Sequence, residues 1–244
     1  MAELEAPLDL LAIMAHPDDA ELLCGGVLVK STARGKRVGV VDLTAGEMGS
    51  SGSVETRARE AARAGALMGL TLRACAELPD SNLQNDHESR LVVAALLRAF
   101  RPRVVVTHWT VGRHRDHRIA AELVRDACFL SGLGKLEIPG QPFRPVKLVY
   151  ATAFREDADP PDFVVDISQQ MDRKLDAIAA YGSQFDDAVQ AGEVFPGGSR
   201  DLIAQIRAKS AHYGSLIRVR YGEPFRIAET LEVDELSELG VSTF

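Results

Sequence analysis

The sequence lacks the features that mark several large classes of protein. Basic residues are in the minority: 28 lysines and arginines stand against 35 aspartates and glutamates, which gives a net charge of −7. General binding to nucleic acids or anionic membranes requires a positively charged surface, so this composition argues against both. A small anionic substrate held by a few local arginines is still compatible with it. No apolar run approaches the roughly 20 residues that a membrane-spanning helix needs.

Cysteines are few and widely spaced. The chain has three, Cys24, Cys75 and Cys128, an odd number with no CxxC pair. This pattern predicts no disulfide framework. The N-terminus carries Glu3 and Glu5 rather than a basic region, so no signal peptide is predicted. These features favour a cytoplasmic location.

Internal repeats, low-complexity tracts and convincing linkers are also absent. The 244 residues are enough for one large domain, and we predict a single domain over residues 1–244. Hydrophobic residues make up 46% and charged residues 26%, which is ordinary for a globular protein. Residues 192–198 are rich in glycine and form either a loop that folds over the substrate or a plain surface loop.

Strand-like and helix-like segments alternate along the first two-thirds of the chain. Apolar or β-branched runs predict strands at residues 8–15, 37–43, 71–78, 103–109, 146–154 and 163–167. Amphipathic stretches predict helices at residues 25–34, 54–68, 87–100, 118–130, 169–181 and 200–212. This order predicts an α/β fold with three αβα layers around a mainly parallel, doubly wound, Rossmann-like sheet.

Two clusters of polar residues follow predicted strands. His16-Pro17-Asp18-Asp19-Ala20-Glu21 comes directly after the first strand, and His114-Arg115-Asp116-His117 follows the strand at 103–109 after a short loop. Leaving charged side chains unpaired at the edge of an apolar core costs free energy, so we expect the first cluster to bind a cation. Ligands bind at the carboxyl ends of the strands in such sheets. The two clusters together predict a site for one divalent metal.

The residue types fit a hydrolytic metal site. Catalytic zinc takes three protein ligands and keeps one position open for water. We predict His16, Asp19 and His117 as these ligands, around a metal that activates water and polarises a carbonyl. Asp18 is the predicted general base, which takes a proton from the water and delivers it to the leaving amine. An aspartate at this position can alternatively cap the next helix.

The second cluster supplies two further roles. His114 is predicted to donate a hydrogen bond to the oxyanion. Asp116 is placed to bind one imidazole and fix its tautomer. His87, His108 and His212 have no comparable neighbours and are predicted to be structural, although His108 is near enough to support the site.

The motifs resemble those of a known family. The segment from His16 to Glu21 resembles the HPDD-x-E signature of PIG-L/LmbE-like N-acetylglucosamine deacetylases, and His114-x-Asp116-His117 resembles their second metal motif. Similarity extends over most of the chain, through residues 44–47, 53–57, 78–80, 161–168 and 181–185. The last two segments look most like the bacillithiol-biosynthesis branch, which deacetylates an N-acetylglucosaminyl-malate conjugate.

The resemblance implies the same zinc ligands, general base and oxyanion-stabilising residue. It also implies that Glu47, Arg57 and Asp80 approach the sugar hydroxyls or the departing acetate, and that Arg113 helps to hold the substrate. The alternatives are an ordinary loop residue for Glu47 and an exposed helical arginine for Arg57. A homo-oligomer, such as a hexamer, is implied as well. Two imidazoles and one carboxylate suit Fe²⁺ as well as Zn²⁺.

One position departs from the family pattern. Arg115 stands where the second motif commonly has proline, which would fix one backbone torsion and remove a donor. Its positive charge near the site could favour an anionic substrate. The alternative is an arginine that simply faces solvent.

Other functions stay open. A dinucleotide-dependent oxidoreductase could use Asp42 at the end of the second strand, but the glycine fingerprint is missing because Gly25-Gly26 come too late. A non-catalytic metal-binding module would explain the ligands but not Asp18 and His114. Among hydrolases, deacetylation of another acetamido sugar or of a small N-acetyl compound is the alternative.

Overall fold

The computed structural model describes residues 6–154, 160–185, 201–235 and 240. Residues 192–198 lie outside this described part, and the single domain over 1–244 stays a prediction. The elements in chain order are β1 (Leu10–Met14), α1 (Asp19–Ala33), β2 (Val38–Asp42), α2 (Val54–Met68), β3 (Leu72–Cys75), α3 (His87–Phe100), β4 (Val104–His108), α4 (Arg115–Leu130), β5 (Lys147–Ala151), β6 (Phe163–Asp166), α5 (Met171–Ala179), α6 (Gly182–Phe185), α7 (Leu202–Leu216) and β7 (Gly222–Arg226).

The strands form one mostly parallel sheet in the order β3-β2-β1-β4-β5-β7-β6. Strands β1 to β5 pair in parallel, whereas β7 runs antiparallel to both of its neighbours. Helices α3 and α4 pack on one face of the sheet, and α1, α2 and α5 pack on the other. The predicted three-layer, doubly wound α/β fold is confirmed.

Strand β1 is central and entirely buried. Its side chains alternate between the two faces: Leu11 and Ile13 join the α3/α4 side, while Leu10, Ala12 and Met14 join the α1/α2 side. Its neighbours are β2 on one side and β4 on the other, so the chain reverses its direction across the sheet here. Such a reversal opens a crevice at the carboxyl ends of the two strands, where α/β proteins bind ligands.

Two helices begin earlier than the sequence predicts. Helix α1 starts at Asp19 rather than at residue 25, and α4 starts at Arg115 rather than at residue 118. Gly25-Gly26 resembles a helix boundary but lies within α1, and Gly26 is a glycine because a side chain has no room there. A Cβ atom at Gly26 would lie 2.7 Å from Cδ1 of Ile167. As a result, Asp18 and His114 occupy the N-cap positions of two helices.

Strand β7 is absent from the prediction. Its segment contains Pro224, which cannot donate to a sheet and is normally confined to edge strands. In the sheet, β5 pairs with the last two residues of β7, Phe225 and Arg226, while Pro224 lies opposite Val164 of β6. Pro224 therefore lies beyond the end of β5 and does not interrupt that pairing.

Within the described ranges, no helix is both long enough and apolar enough to cross a membrane.

Candidate metal and catalytic site

The candidate site lies at the carboxyl ends of the parallel strands. His16 follows β1, Asp80 follows β3, and the segment from His114 to His117 begins α4 after β4. In the sheet, β1 and β4 are direct neighbours, and only β2 separates β1 from β3. Their parallel direction brings residues that are up to about a hundred positions apart to one edge.

The three predicted metal ligands lie together. One carboxylate oxygen of Asp19, Oδ2, is 3.2 Å from Nδ1 of His16, and the other, Oδ1, is 3.2 Å from Nε2 of His117. The backbone amide of His16 also donates to Asp19 Oδ2 at 2.9 Å. Asp19 therefore lies between two imidazoles, each of which directs a nitrogen toward it. Among the described residues, three groups have ligand atoms that all lie within 4.8 Å of one another: His16–His114–His117, Asp19–His108–His117 and His16–Asp80–Asp116. The predicted ligands are therefore divided between overlapping groups, and His114 and His108 are further candidates.

The other nitrogen of His16 faces two more carboxylates. Nε2 is 3.1 Å from Asp80 Oδ1 and 3.6 Å from Asp116 Oδ2. Burial alone would lower the pKa of His16, but the nearby carboxylates of Asp116, Asp19 and Asp80 outweigh it and raise the pKa to about 12. Asp116 Oδ2 is buried and has no hydrogen-bond partner among the described residues. The cluster is thus rich in negative charge and favours a cation.

Asp18 occupies a helix N-cap but does not act as a cap. Ser53, Asp86 and Asp201, the N-cap residues of α2, α3 and α7, each accept a hydrogen bond from a backbone amide of the first turn. The side chain of Asp18 makes no such bond. Its φ of 105° lies in the left-handed region, which is uncommon for aspartate. The capping alternative for Asp18 is therefore not what the structure shows.

The Asp18 carboxylate is held beside the predicted metal ligands. Arg57 Nη2 contacts Asp18 Oδ2 at 3.1 Å. Burial, followed by the charge of Asp19, raises the pKa of Asp18 well above its usual value, although Arg57 acts in the opposite direction. A carboxylate in such surroundings has a greater tendency to take up a proton.

His114 presents a hydrogen-bond donor to the site. Its Nδ1 accepts a hydrogen bond from the backbone amide of Asp116 at 3.3 Å, so the neutral ring carries its proton on Nε2. Burial and the neighbouring rings of His117 and His16 lower its pKa, which favours the neutral form. The ring stacks on His117 with centroids 4.5 Å apart. His114 can therefore donate from Nε2 to an oxyanion.

His108 is closer to the site than its isolated place in the sequence indicates. Its Nε2 accepts from the backbone amide of Ala15 at 2.9 Å and lies 3.4 Å from Asp19 Oδ2. Its ring stacks on His117 with centroids 4.0 Å apart. Burial, then the charge of His117, lowers its pKa to about 4. The only sequence signal that could have placed His108 at the site is its position at the end of β4, the strand that pairs with β1.

The residues expected to contact the sugar differ in accessibility. Glu47 is exposed, and its Oε1 accepts from the Asp80 amide at 2.7 Å. Asp80 is buried and uses both carboxylate oxygens, one toward His16 and one to accept from the Met48 amide at 2.9 Å. Arg57 is only 5% exposed, so the alternative of an exposed helical arginine is wrong.

The arginines near the second cluster lie at the surface. Arg113 is exposed immediately before His114. The side chain of Arg115 is 44% exposed, and its Nη1 donates to Asp116 Oδ1 at 3.1 Å. Arg115 therefore faces solvent in part while one end of its guanidinium supports the carboxylate behind His16.

Comparisons with known proteins agree with this geometry. The family model "PIG-L: GlcNAc-PI de-N-acetylase" matches residues 11–128, which contain both clusters. The chain is 29% identical over 234 residues to a diacetylchitobiose deacetylase of Thermococcus kodakarensis, covering 89% of this chain and 82% of that protein. It is 26% identical to a probable N-acetyl-alpha-D-glucosaminyl L-malate deacetylase 2 of Bacillus anthracis, covering 72% and 81%.

A solved structure extends the similarity to the whole fold. The conserved protein TT1542 of Thermus thermophilus superposes with a TM-score of 0.83 at 37% identity, covering 93% of this chain and 97% of that one. The matched motifs, the site that they build and the shared architecture agree with one another. The chain is similar to the PIG-L family in all three respects.

Proposed function

We propose that this protein is a metal-dependent hydrolase that removes the acetyl group from an N-acetylglucosamine conjugate. The proposal rests on the contacts of His16 and His117 with Asp19 at the carboxyl ends of the strands, with Asp18 and His114 beside them. The match of residues 11–128 to the PIG-L family model supports the same reaction.

The donor set fits a divalent metal. His16 through Nδ1, Asp19 and His117 through Nε2 would hold the ion, and this combination suits Zn²⁺ and also Fe²⁺. The excess of carboxylates around His16 supports a cation at this place. When bound, the metal would supply a water of lowered pKa and polarise the amide carbonyl.

Side chains of the protein would carry out the proton transfers and stabilise the developing charge. Asp18, fixed beside the ligands by Arg57, would take a proton from the attacking water and deliver it to the departing amine. His114 would donate from Nε2 to the carbonyl oxygen as negative charge develops there. Asp116 and Asp80 would orient His16 from its Nε2 side.

We propose the malate conjugate of N-acetylglucosamine, an intermediate of bacillithiol biosynthesis, as the substrate. Arg113 and Arg115 place positive charge at the second cluster of an otherwise acidic chain, which supports an anionic aglycone. Glu47 is exposed and available to sugar hydroxyls. The Bacillus anthracis relative is named for a malate conjugate, whereas the Thermococcus relative is named for diacetylchitobiose. We also expect a homo-oligomer.

An acetate-release assay tests the proposal. The purified protein is freed of metal with a chelator, restored with Zn²⁺ or Fe²⁺, and offered N-acetylglucosamine linked to malate, to inositol and to a second sugar. We expect metal-restored activity that is highest on the malate conjugate. Equal or better turnover of the other conjugates would reject malate. Metal binding without any acetate release would instead indicate a non-catalytic metal-binding module.

A further inference from the structure

Glu21 is the last residue of the first motif and has no part in the proposed reaction. It lies in the first turn of α1, two positions after Asp19, and is fully buried. Its Oε1 accepts hydrogen bonds from Arg73 Nη1 at 2.5 Å and from the Tyr181 hydroxyl at 3.2 Å. Because a buried carboxylate requires well-placed partners, these two contacts fix the direction of the Glu21 side chain.

Arg73, a residue of β3, connects Glu21 to the neighbouring strand. Its Nε and Nη2 donate to the two carboxylate oxygens of Asp42, the last residue of β2, at 2.9 and 3.0 Å. Nη2 also donates to the Tyr181 hydroxyl at 2.9 Å. The planar guanidinium presents these donors in a fixed fork, which a lysine lacks. Glu21, Asp42, Arg73 and Tyr181, the Arg73 cluster, therefore hold α1, the end of β2 and the chain after α5 in one arrangement.

The Arg73 cluster supports the chain on both sides of residues 16–19. On the C-terminal side, Glu21 follows this segment within the same helical turn. On the N-terminal side, the two residues after Asp42 donate their backbone amides to the carbonyls of Met14 and Ala15, at 2.7 and 3.0 Å. Residues 16–19 contain two predicted metal ligands and the predicted base, so both supports act on the candidate site.

Asp18, within this segment, has a backbone conformation that needs support. Its φ of 105° is left-handed, and a residue other than glycine keeps such a conformation where the surrounding structure enforces it. The carbonyl of Asp18 accepts from the Leu22 amide at 3.0 Å. The backbone at Asp18 therefore depends on the first turn of α1, which Glu21 connects to Arg73.

We propose that Arg73 is a positioning residue that acts through Glu21 on the first turn of α1 and so orients Asp18 and Asp19. The inference rests on the proposed function, in which Asp19 is a metal ligand and Asp18 is the general base. A buried ion pair adds little net stability by itself, which favours a role of the Arg73 cluster in geometry.

Variants of Arg73 test this role, with Co²⁺ as the probe. Competition with a chelator measures the Co²⁺ affinity, and visible absorption reports the geometry of the bound ion. We expect Arg73→Met to bind Co²⁺ about 10- to 100-fold more weakly and with a changed spectrum, as is usual when groups that orient a ligand are lost. In the acetate-release assay, kcat should fall by a similar factor at an almost unchanged KM, because small displacements of catalytic groups have effects of this size. Arg73→Lys, which keeps the charge without the fork, should recover part of each loss.

A second destabilised variant separates positioning from stability. Lys174→Met breaks a buried ion pair with Glu223, outside the Arg73 cluster. Both variants should unfold at lower urea concentrations than the wild type, but only Arg73→Met should change Co²⁺ affinity, the spectrum and kcat. Arg63→Met, which changes an exposed arginine of α2, should change none of these. If Arg73→Met differs from the wild type in stability alone, Arg73 serves only the fold and the proposal is wrong. If Arg73→Met does not fold, Arg73→Lys replaces it in the same comparison.

A double-mutant cycle tests the path through Glu21. In a Glu21→Leu background, which lacks the acceptor, Arg73→Met should cause little further loss of Co²⁺ affinity. Losses that multiply would overturn this path. The Co²⁺ measurements need no substrate, so absence of acetate release by the wild type would reject the proposed function alone. Wild-type Co²⁺ affinity and spectrum in Arg73→Met would reject the positioning role whether or not the protein is active.

Discussion

Two buried clusters of charged side chains differ in how completely their members satisfy one another. In the first, Lys174 of α5 and Glu223 of β7 form an ion pair at 2.6 Å. Glu223 also accepts from the backbone amides of Gly26 and Val27 at 2.8 and 2.7 Å. Lys174 also donates to the carbonyl of Leu22 at 2.8 Å. The charges of Lys174 and Glu223 balance each other, and both side chains bind the backbone of α1 between Leu22 and Val27.

The second cluster is the candidate site, and its charges do not balance in this way. Three carboxylates, those of Asp19, Asp80 and Asp116, surround His16 within 3.6 Å. Asp116 Oδ2 is buried without a hydrogen-bond partner in the described part of the chain. A balanced buried ion pair holds secondary-structure elements together. A surplus of buried acceptors at the carboxyl ends of the strands instead indicates a binding place for a cation. On this basis the Lys174–Glu223 pair serves the fold, whereas the charges around His16 mark a candidate functional site.

Removal of the proposed base should have the largest effect. We expect Asp18→Asn to lower kcat by about 10²- to 10⁴-fold, the usual contribution of a general base. Bound metal should stay near the wild-type amount, because Asp18 is not among the proposed ligands. Turnover and metal content are measured on the same sample. Asp86→Asn is the matched control, since Asp86 is also an N-cap residue but caps its own helix. Full activity of Asp18→Asn would remove Asp18 from the mechanism.

Breaking the balanced pair should affect stability instead. Lys174→Met leaves Glu223 charged and buried, which costs about 3–5 kcal/mol when one partner of a buried pair is removed. Urea unfolding measures this loss. Metal affinity of the folded protein should stay close to that of the wild type, because Lys174 contacts α1 at Leu22 and not at the proposed ligands.

Two variants sharpen this result. Lys174→Met with Glu223→Gln should regain part of the stability, since glutamine is neutral and can still accept from one of the α1 amides. Arg173→Met, which changes an exposed cation on the same helix, should cost much less. If Lys174→Met is as stable as the wild type, the pair is not a structural element.

The two clusters also differ in how far sequence can predict them. The candidate site is predictable because His16, Asp18 and Asp19 are close in the chain and follow an apolar strand, so chemistry and position coincide. Lys174 and Glu223 are 49 residues apart and become partners only through the packing of α5, β7 and α1. His108 is an intermediate case, since its strand is predictable but its contact with the Ala15 amide depends on strand pairing.

The fold shows the same limit. The five parallel strands β1 to β5 are predicted from their apolar runs, and the bounds of α2 and α3 agree with the amphipathic pattern. Local signals fail where tertiary packing overrides them. Gly26 lies inside α1, where Ile167 packs closely against it, and Pro224 is tolerated in β7 because β5 pairs only with the two residues after it.

A change in the carboxylates behind His16 should have the smallest of these effects. Asp116→Asn removes a negative charge 3.6 Å from His16 Nε2, so His16 becomes a weaker ligand. We expect metal affinity to fall by about 10- to 100-fold, as is usual for groups that orient a ligand, with a smaller change in unfolding free energy than for Lys174→Met. Competition with a chelator measures the affinity. Asp126→Asn, on the same helix but hydrogen-bonded to Asn85, should bind metal like the wild type. Unchanged affinity in Asp116→Asn would mean that the surplus of negative charge does not serve the metal.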